Sequence, residues 1–338
     1  MMLTRERLED ILMKITSVKI AVYGDLCLDI YWHADMRISE LSRETPHFAL
    51  PVVEERIYLG GGGNVAANIS ALRPKRVMAS GTAGEDWRGR ELMHLMHGQN
   101  IDTQYIVRAP HLITNAFCKP LRRGISDTVY EDPRLDFANT RPLGEETEAA
   151  LIKALDAIAE NADILCISDQ LPVHVYGAVT DKIRARIIKL AENGLPVVVD
   201  SRDRVALYAG KNIIVKPNEI EAARAANITA DDLGQSDPAL ALSQSREVIM
   251  TNGPRGSVYA SGGKCVRIPA RKVPDPIDTV GAGDTFISAF ALATAAGASR
   301  IEAAYFAGLS GEVTIQKIGM TGTATPQEIL AWYDKTHA

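Results

Sequence analysis

Asp278-Thr279-Val280-Gly281-Ala282-Gly283-Asp284, running directly into the apolar stretch Thr285-Phe-Ile-Ser-Ala-Phe-Ala-Leu292, is the most informative segment of this sequence. Gly281 and Gly283 let the backbone turn tightly, and the free N–H groups of the following helix's first turn point at whatever lies in front of them. The combination is an anion hole. An aspartate at that spot, beside bound phosphate, can accept the proton of an attacking hydroxyl while the N–H groups stabilise a phosphoryl group in transfer. A glycine turn with an acidic cap is the plainer account of the same residues.

Upstream lie two further segments, each directly after an apolar strand pattern. Thr251-Asn-Gly253-Pro-Arg-Gly256 follows Glu247–Met250. Its glycines permit close backbone approach to a nucleotide and Thr251 offers a hydroxyl, although a hairpin turn into Ser257–Ala260 would use the same residues. Lys216-Pro-Asn218-Glu-Ile-Glu221 follows Asn212–Val215. Pro217 suits a helix start, so Asn218 and Glu221 fall three apart on one face, where they can order the waters of Mg²⁺ or simply cap the helix.

Near the N-terminus, Gly24-Asp25-Leu-Cys-Leu-Asp29 closes a first strand, Val18–Tyr23, and Gly60-Gly-Gly-Gly-Asn64-Val-Ala-Ala-Asn68 opens a helix. Asp29 and Asn64 are short polar groups suited to sugar hydroxyls, and the glycines leave room for a ring. Gly61-x-Gly63-x-x-Ala66 also fits a dinucleotide fingerprint, with Glu85 and Asp86 near the expected distance. Such a fingerprint belongs in the first βαβ unit, whereas here a segment with no helical period intervenes. There is no G-x-x-x-x-G-K-[ST], H-E-x-x-H or G-x-S-x-G, which removes the P-loop, zinc-protease and serine-hydrolase readings.

Apolar runs recur at Arg76–Ser80, Asp163–Ser168, Pro196–Asp200, Asn212–Lys216 and Glu247–Thr251, with helical patterns at Glu145–Glu160, His174–Glu192, Gly283–Ala298 and Arg300–Lys317. Strand and helix in alternation predict an α/β fold: a central, mostly parallel sheet between helices. Residues 31–58 and 112–137 break the rhythm with β-rich segments and no helical period, and predict a small β lid built from two insertions. With no repeat, low-complexity tract or linker, residues 1–338 read as a single domain.

The 338 residues are 46% hydrophobic and 23% charged, with a net charge of −5. Such a chain can bury a large core but has no overall basic field for nucleic acid or an anionic membrane, so neither is expected as a partner. The four cysteines form no C-x-x-C pair, and no apolar run has signal-peptide or membrane-span character. A cytoplasmic protein is expected.

Taken in order, Gly24…Asp29, Gly60-Gly61…Asn64, Asn218-x-x-Glu221, Thr251-x-Gly253-x-x-Gly256 and Asp278–Asp284 resemble the ribokinase/PfkB carbohydrate kinase family over nearly the whole chain. The resemblance implies a ribokinase-like fold with a β lid over the sugar, and ATP with Mg²⁺ as cofactors. It implies Asp284 as the base, with Gly281, Ala282 and Gly283 as the anion hole. Asp29, Gly60, Gly61 and Asn64 would face the acceptor; Thr251, Gly253 and Gly256 would touch ATP; Asn218 and Glu221 would organise Mg²⁺ through water. Asp278 stands where some members bind a monovalent cation such as K⁺, and lids of this family often pair into homodimers.

Within the family, Asp29-Ile-Tyr-Trp32, Arg37-Ile-Ser39 with Glu44-x-Pro46, Gly60–Asn68 and Lys317–Pro326 are similar to the kinase portion of bacterial heptose-phosphate kinase/adenylyltransferases. That likeness implies a heptose 7-phosphate as acceptor. The sequence departs from the group at Ser168-Asp169-Gln170, where Asp-Tyr-x-Lys-Gly is usual, and at Ser201-Arg202-Asp203-Arg204, where a lysine follows the strand. The adenylyltransferase portion has no counterpart in these residues. Arg37, Arg43, Lys119, Arg122, Arg123 and Arg134 concentrate positive charge in the lid segments, which suits a phosphorylated acceptor, or else ion pairs with Glu44, Glu54, Glu55, Asp127, Glu131, Asp132 and Asp136. A silent sugar- or nucleotide-binding relative and an NAD-linked oxidoreductase are the alternative functional classes.

Overall fold

The computed structural model describes residues 3–124, 126, 128–172, 176–229 and 237–337. The chain begins with helix α1 (Arg5–Ile15) and strand β1 (Lys19–Gly24), then β2 (Leu26–Asp35), β3 (Val52–Gly61), α2 (Gly62–Ala71), β4 (Arg76–Gly84), α3 (Trp87–Gly98) and β5 (Ile101–Ala109). Next come β6 (Asn115–Arg123), β7 (Val129–Glu131), β8 (Leu135–Phe137), α4 (Glu145–Ala159), β9 (Ile164–Asp169), α5 (Asp181–Glu192), β10 (Val197–Ser201) and β11 (Ile213–Val215). The remainder is α6 (Glu219–Ala225), α7 (Pro238–Leu242), β12 (Glu247–Thr251), β13 (Ser257–Ser261), β14 (Lys264–Ile268), α8 (Ala282–Ala295), α9 (Arg300–Thr314) and α10 (Pro326–His337).

Among the described residues, the main sheet has nine strands in the order β14-β13-β12-β11-β10-β9-β1-β4-β5. All neighbours from β5 to β12 run parallel, and β13 and β14 return antiparallel. The expected mostly parallel sheet between helices is therefore the one observed. Strand side chains alternate between two cores: Ile20, Val22, Ile164, Cys166 and Val198 pack with α1, α2, α8 and α9, while Ala21, Tyr23, Leu165, Ile167, Val197 and Val199 pack with α4 and α5. Burial on both faces explains why these strands read as continuous apolar runs. The chain builds outward from β1 first toward β4 and β5, then from β9 toward β12. Such a switch point opens a crevice beyond the carboxyl ends of the strands.

The second sheet runs β3-β2-β6-β7, with β8 also paired to β6. It draws on residues 26–35, 52–61, 115–123, 129–131 and 135–137, so it begins at Leu26, directly after β1, rather than at residue 31. Leu26, Leu28 and Ile30 turn to the core, and the other face carries Cys27, Asp29 and Tyr31. The helix expected from His174 is observed only from Asp181, because the Thr180 hydroxyl accepts Ile183 N–H and caps it. Val173, His174, Val175 and Asp127 lie outside the described residues. Among the described residues no helix is long and apolar enough to cross a membrane.

Candidate active site

The carboxyl ends of β1, β9, β10, β11 and β12 deliver Asp25, Asp169, Asp200, Lys216 and Thr251 to one edge of the sheet, and α8 points its N-terminus toward them. Gly281 caps α8 with φ 77°, a left-handed conformation, and a Cβ there would lie 3.0 Å from Asn64 Nδ2. The N–H of Ala282 is engaged with Thr279 O at 3.2 Å, whereas those of Gly281 and Gly283 have no hydrogen-bond partner among the described residues. Two of the three expected anion-hole amides thus remain available to a ligand.

Asp284, in the first turn of α8, accepts a hydrogen bond of 2.7 Å from Asn64 Nδ2 on α2. Burial is the main force that lifts its carboxyl to about 7; Asp200 and Asp29 push the same way, while Asn64 and Lys216 pull down. A carboxylate so tuned suits proton abstraction at neutral pH.

Lys216 was not among the residues expected in the site. Its side chain is buried and ion-paired with Asp200 at 3.1 Å. A Cβ on Gly283 would lie 3.6 Å from its Nζ, so the ammonium group stands beside the first turn of α8. Burial pulls its proton affinity down, but Asp200, Glu221 and Asp284 together raise it above the ordinary lysine value, and it stays charged. Lysine is almost never fully buried unless paired, so a lysine ending a buried strand is a readable signal.

Asn218 and Glu221 cap each other. Asn218 Oδ1 accepts Glu221 N–H at 2.9 Å and Glu221 Oε2 accepts Asn218 N–H at 2.8 Å. The capping account of this motif is realised, and the pair lies beside Thr251, whose N–H donates to Pro217 O at 3.0 Å. Burial and Asp200 raise the Glu221 carboxyl. Among the described residues no cluster of three His, Cys, Asp or Glu side chains could hold a metal. Mg²⁺ is usually held by one or two carboxylates plus substrate phosphates and keeps several waters, a requirement that Glu221 beside Asn218 fits.

Gly253 opens a single helical turn, Gly253–Arg255. Gly256, with φ 87°, has no room for a Cβ, which would fall 2.0 Å from Ile268 O. Asp278 accepts Val280 N–H at 3.0 Å and Gly319 N–H at 2.9 Å, tying the loop before α8 to the segment after α9. On the second sheet, Asp29 is partly buried; burial raises its carboxyl against the pull of Lys119 and Arg134. Gly60 lies against it, since a Cβ would be 3.1 Å from the Asp29 carboxylate. Gly61 caps α2. The Gly61-x-Gly63-x-x-Ala66 fingerprint follows β3, an antiparallel strand of the small sheet, and so lacks its βαβ setting.

The departures at Ser168–Gln170 and Ser201–Arg204 turn out to be one feature. Arg204 pairs with Asp169 in the interior, and the same carboxylate accepts Ser201 Oγ at 2.8 Å and Tyr208 OH at 3.0 Å. Arg204 also donates to Leu171 O at 2.7 Å, so the pair holds the first residues after β9.

Scaffold and site together are an α/β sheet at whose strand ends Asp284, Asn64 and Lys216 meet at the N-terminus of one helix. The chain matches the pfkB family carbohydrate kinase model over residues 19–328 and belongs to that family. Relatives named bifunctional protein HldE, from Geobacter sulfurreducens and Caulobacter sp. (strain K31), are 30% and 31% identical over 96% and 98% of this chain, which spans 65% and 67% of their length. Escherichia coli phosphofructokinase-2 in complex with fructose-6-phosphate superposes with a TM-score of 0.72 at 21% identity, covering 94% of this chain and 99% of that one. Arabidopsis thaliana ribokinase complexed with ribose and ATP gives 0.67 at 20% identity, covering 94% and 98%. At these identities the two structures establish the ribokinase-like fold.

Proposed function

We propose that the chain transfers the γ-phosphoryl group of ATP to a hydroxyl of a sugar that already bears a phosphate, a heptose 7-phosphate in the reading that the HldE likeness favours. The observation that carries the transfer chemistry is the meeting of Asp284, Asn64 and the Lys216 ammonium at the N-terminus of α8. Asp284 takes the hydroxyl proton, while Lys216 and the free amides of Gly281 and Gly283 offset charge on the phosphoryl oxygens. Thr251, Gly253 and Gly256 line the nucleotide side and Asp29, Gly60 and Gly61 the acceptor side, while Asn64, buried against Asp284, acts on the acceptor only through that carboxylate. Mg²⁺, held through water by Glu221 beside Asn218, would supply neutralisation of phosphate charge. Asp278 is the residue assigned to a monovalent cation.

The acceptor's own phosphate is assigned to Lys119 and Arg134. Strand alternation puts Lys119 on the face of Asp29 and Tyr31, with Nζ 3.0 Å from Tyr31 OH. Arg134 lies over the Phe117 ring at 4.5 Å, and both cations act on Asp29. Arg122 is on the opposite face, paired with Asp132 at 2.8 Å. Arg134 also pairs with Asp136 at 2.6 Å, a partly exposed bond that a phosphate can outbid. In ADP-release kinetics, Arg134→Ala is expected to raise KM for heptose 7-phosphate about tenfold and leave the unphosphorylated sugar little changed, with Arg122→Ala affecting neither. Preference for the free sugar, indifferent to Arg134→Ala, would leave a plain sugar kinase.

The lid also supports self-association. Leu41 and Phe48 pair in a short bridge yet are 58% and 64% exposed, and Val53 on the edge strand β3 is 60% exposed; apolar edges of this kind favour pairing with another chain. Light scattering should return a dimer that Phe48→Glu shifts to monomer, and a monomeric wild type would remove the lid from that role. The four cysteines are unpaired, which fits a reducing cytoplasm.

A further inference from the structure

Which arm of the Asn64 amide faces Asp284 is settled one turn further along α2. Asn68 Nδ2 donates to Asn64 Oδ1 at 3.1 Å and to Asn64 O at 3.0 Å. Thr285 Oγ1, the residue after Asp284, donates to Asn68 Oδ1 at 2.7 Å; its alternative acceptor, Thr314 Oγ1, is farther, at 3.3 Å. A carboxamide carries its acceptor on one arm and its donors on the other. Each bond therefore sets the next: the Thr285 hydroxyl occupies the Asn68 oxygen, the Asn68 NH₂ turns to the Asn64 oxygen, and the Asn64 NH₂ is left facing Asp284. Asn64, Asn68 and Thr285 are each only 2% exposed, so water does not compete for these arms. The Ser288 hydroxyl, one turn along α8, lies 2.6 Å from Asp284 O in its own helix and 2.9 Å from Val65 O in α2, so it sits at the contact of the two helices.

We propose that Asn68 and Thr285 are positioning residues of the transfer reaction, a buried relay that keeps the donor arm of Asn64 on Asp284. The inference rests on the reading of Asp284 as the base. The charged groups acting on Asp284 are Asp200 from β10, Lys216 after β11 and Asp29 from β2, with the buried Cys27 thiol also on β2. The relay itself is uncharged, so replacing its members with apolar residues adds or removes no charge near the carboxyl. Loosening it removes an N–H that stabilises the carboxylate form, and proton affinity at Asp284 rises.

The test uses the full chain with Asn68→Leu and, separately, Thr285→Val, both uncharged and close in shape. Carboxyl ¹³C NMR of aspartate-labelled protein follows Asp284, identified by the resonance missing from Asp284→Asn. The titration midpoint of each folded variant is expected about one pH unit above wild type. ADP release with heptose 7-phosphate as the probe acceptor falls about fivefold at pH 7 and returns toward wild type at pH 9. An unmoved midpoint in a variant whose thermal melt is cooperative, or a rate loss equal at every pH, overturns the relay and makes the residues packing alone. Full turnover in Asp284→Asn would overturn the base assignment beneath it, whereas an inactive Asp284→Asn with unmoved midpoints in the other variants overturns the relay only.

Discussion

Asp284→Asn is expected to lower kcat by at least about a hundredfold while making the protein more stable. The amide keeps the shape of the carboxyl and can still accept from Asn64, but it cannot take a proton, and general-base catalysis contributes about 10²–10⁴-fold. ATP and sugar binding should persist, because Asp284 acts on the transferred proton more than on either ground state. In the wild type, the rate should rise with pH through a single ionisation near 7, where the Asp284 carboxyl titrates in the free protein, and level above it. The gain in stability follows from linkage. The folded-state value, about 7, lies above the ordinary 3.8, so the folded protein holds its proton more tightly than the unfolded chain. That contribution is fully present below pH 3.8 and is lost as pH rises through about 7. Asparagine has no such loss. At pH 8 the variant should melt higher by roughly 1–2 kcal/mol of stability, after allowance for the carboxyl's partial exposure to the cleft, and the advantage should disappear near pH 4. Equal melting at both pH values would contradict the burial that tunes this residue.

Lys216→Met is the second large effect. The ammonium stands beside Gly283, in front of the proposed anion hole, and loss of one preorganised charge-stabilising group commonly costs about 10²–10³ in kcat. It also leaves Asp200 buried without its partner, which costs on the order of 3–5 kcal/mol. Two consequences are thus mixed in one variant, and a second substitution separates them. Lys216→Met with Asp200→Asn removes both charges, so much of the stability should return while activity stays low. Recovery of both would make Lys216 structural. Because Lys216 lowers the Asp284 carboxyl and Asp200 raises it, the single variant should also shift the acid limb of the rate profile to higher pH.

Local pattern carried the parallel sheet because strands such as Glu247–Thr251 are apolar on both faces and end in turn residues. It carried the α8 motif because glycines and an acidic residue before an apolar helix have few other uses. It blurred β2, whose opening Leu26-Cys-Leu-Asp-Ile-Tyr alternates between core and cleft but follows Gly24-Asp25, which reads as a turn. What it could not show is pairing between strand ends. Asp200 meets Lys216, and Asp169 meets Arg204, because β9, β10 and β11 are neighbours, and no local period reveals that order. The spacing of Asn218 and Glu221 is likewise ambiguous, since a capping box and a water-mediated metal site need the same two residues three apart. Asn68 reads as one more residue of a helix, because its partner Thr285 lies 217 positions away in the chain.

The most direct test is ADP release by the wild-type chain with ATP and Mg²⁺, with and without heptose 7-phosphate, alongside Asp284→Asn. Release that depends on the acceptor, with ³¹P NMR showing a second phosphate on the sugar and a loss of at least about a hundredfold in the variant, is the predicted result. Equal ATP turnover with and without any sugar in a broad panel of sugars and sugar phosphates, or a fully active Asp284→Asn, would contradict it.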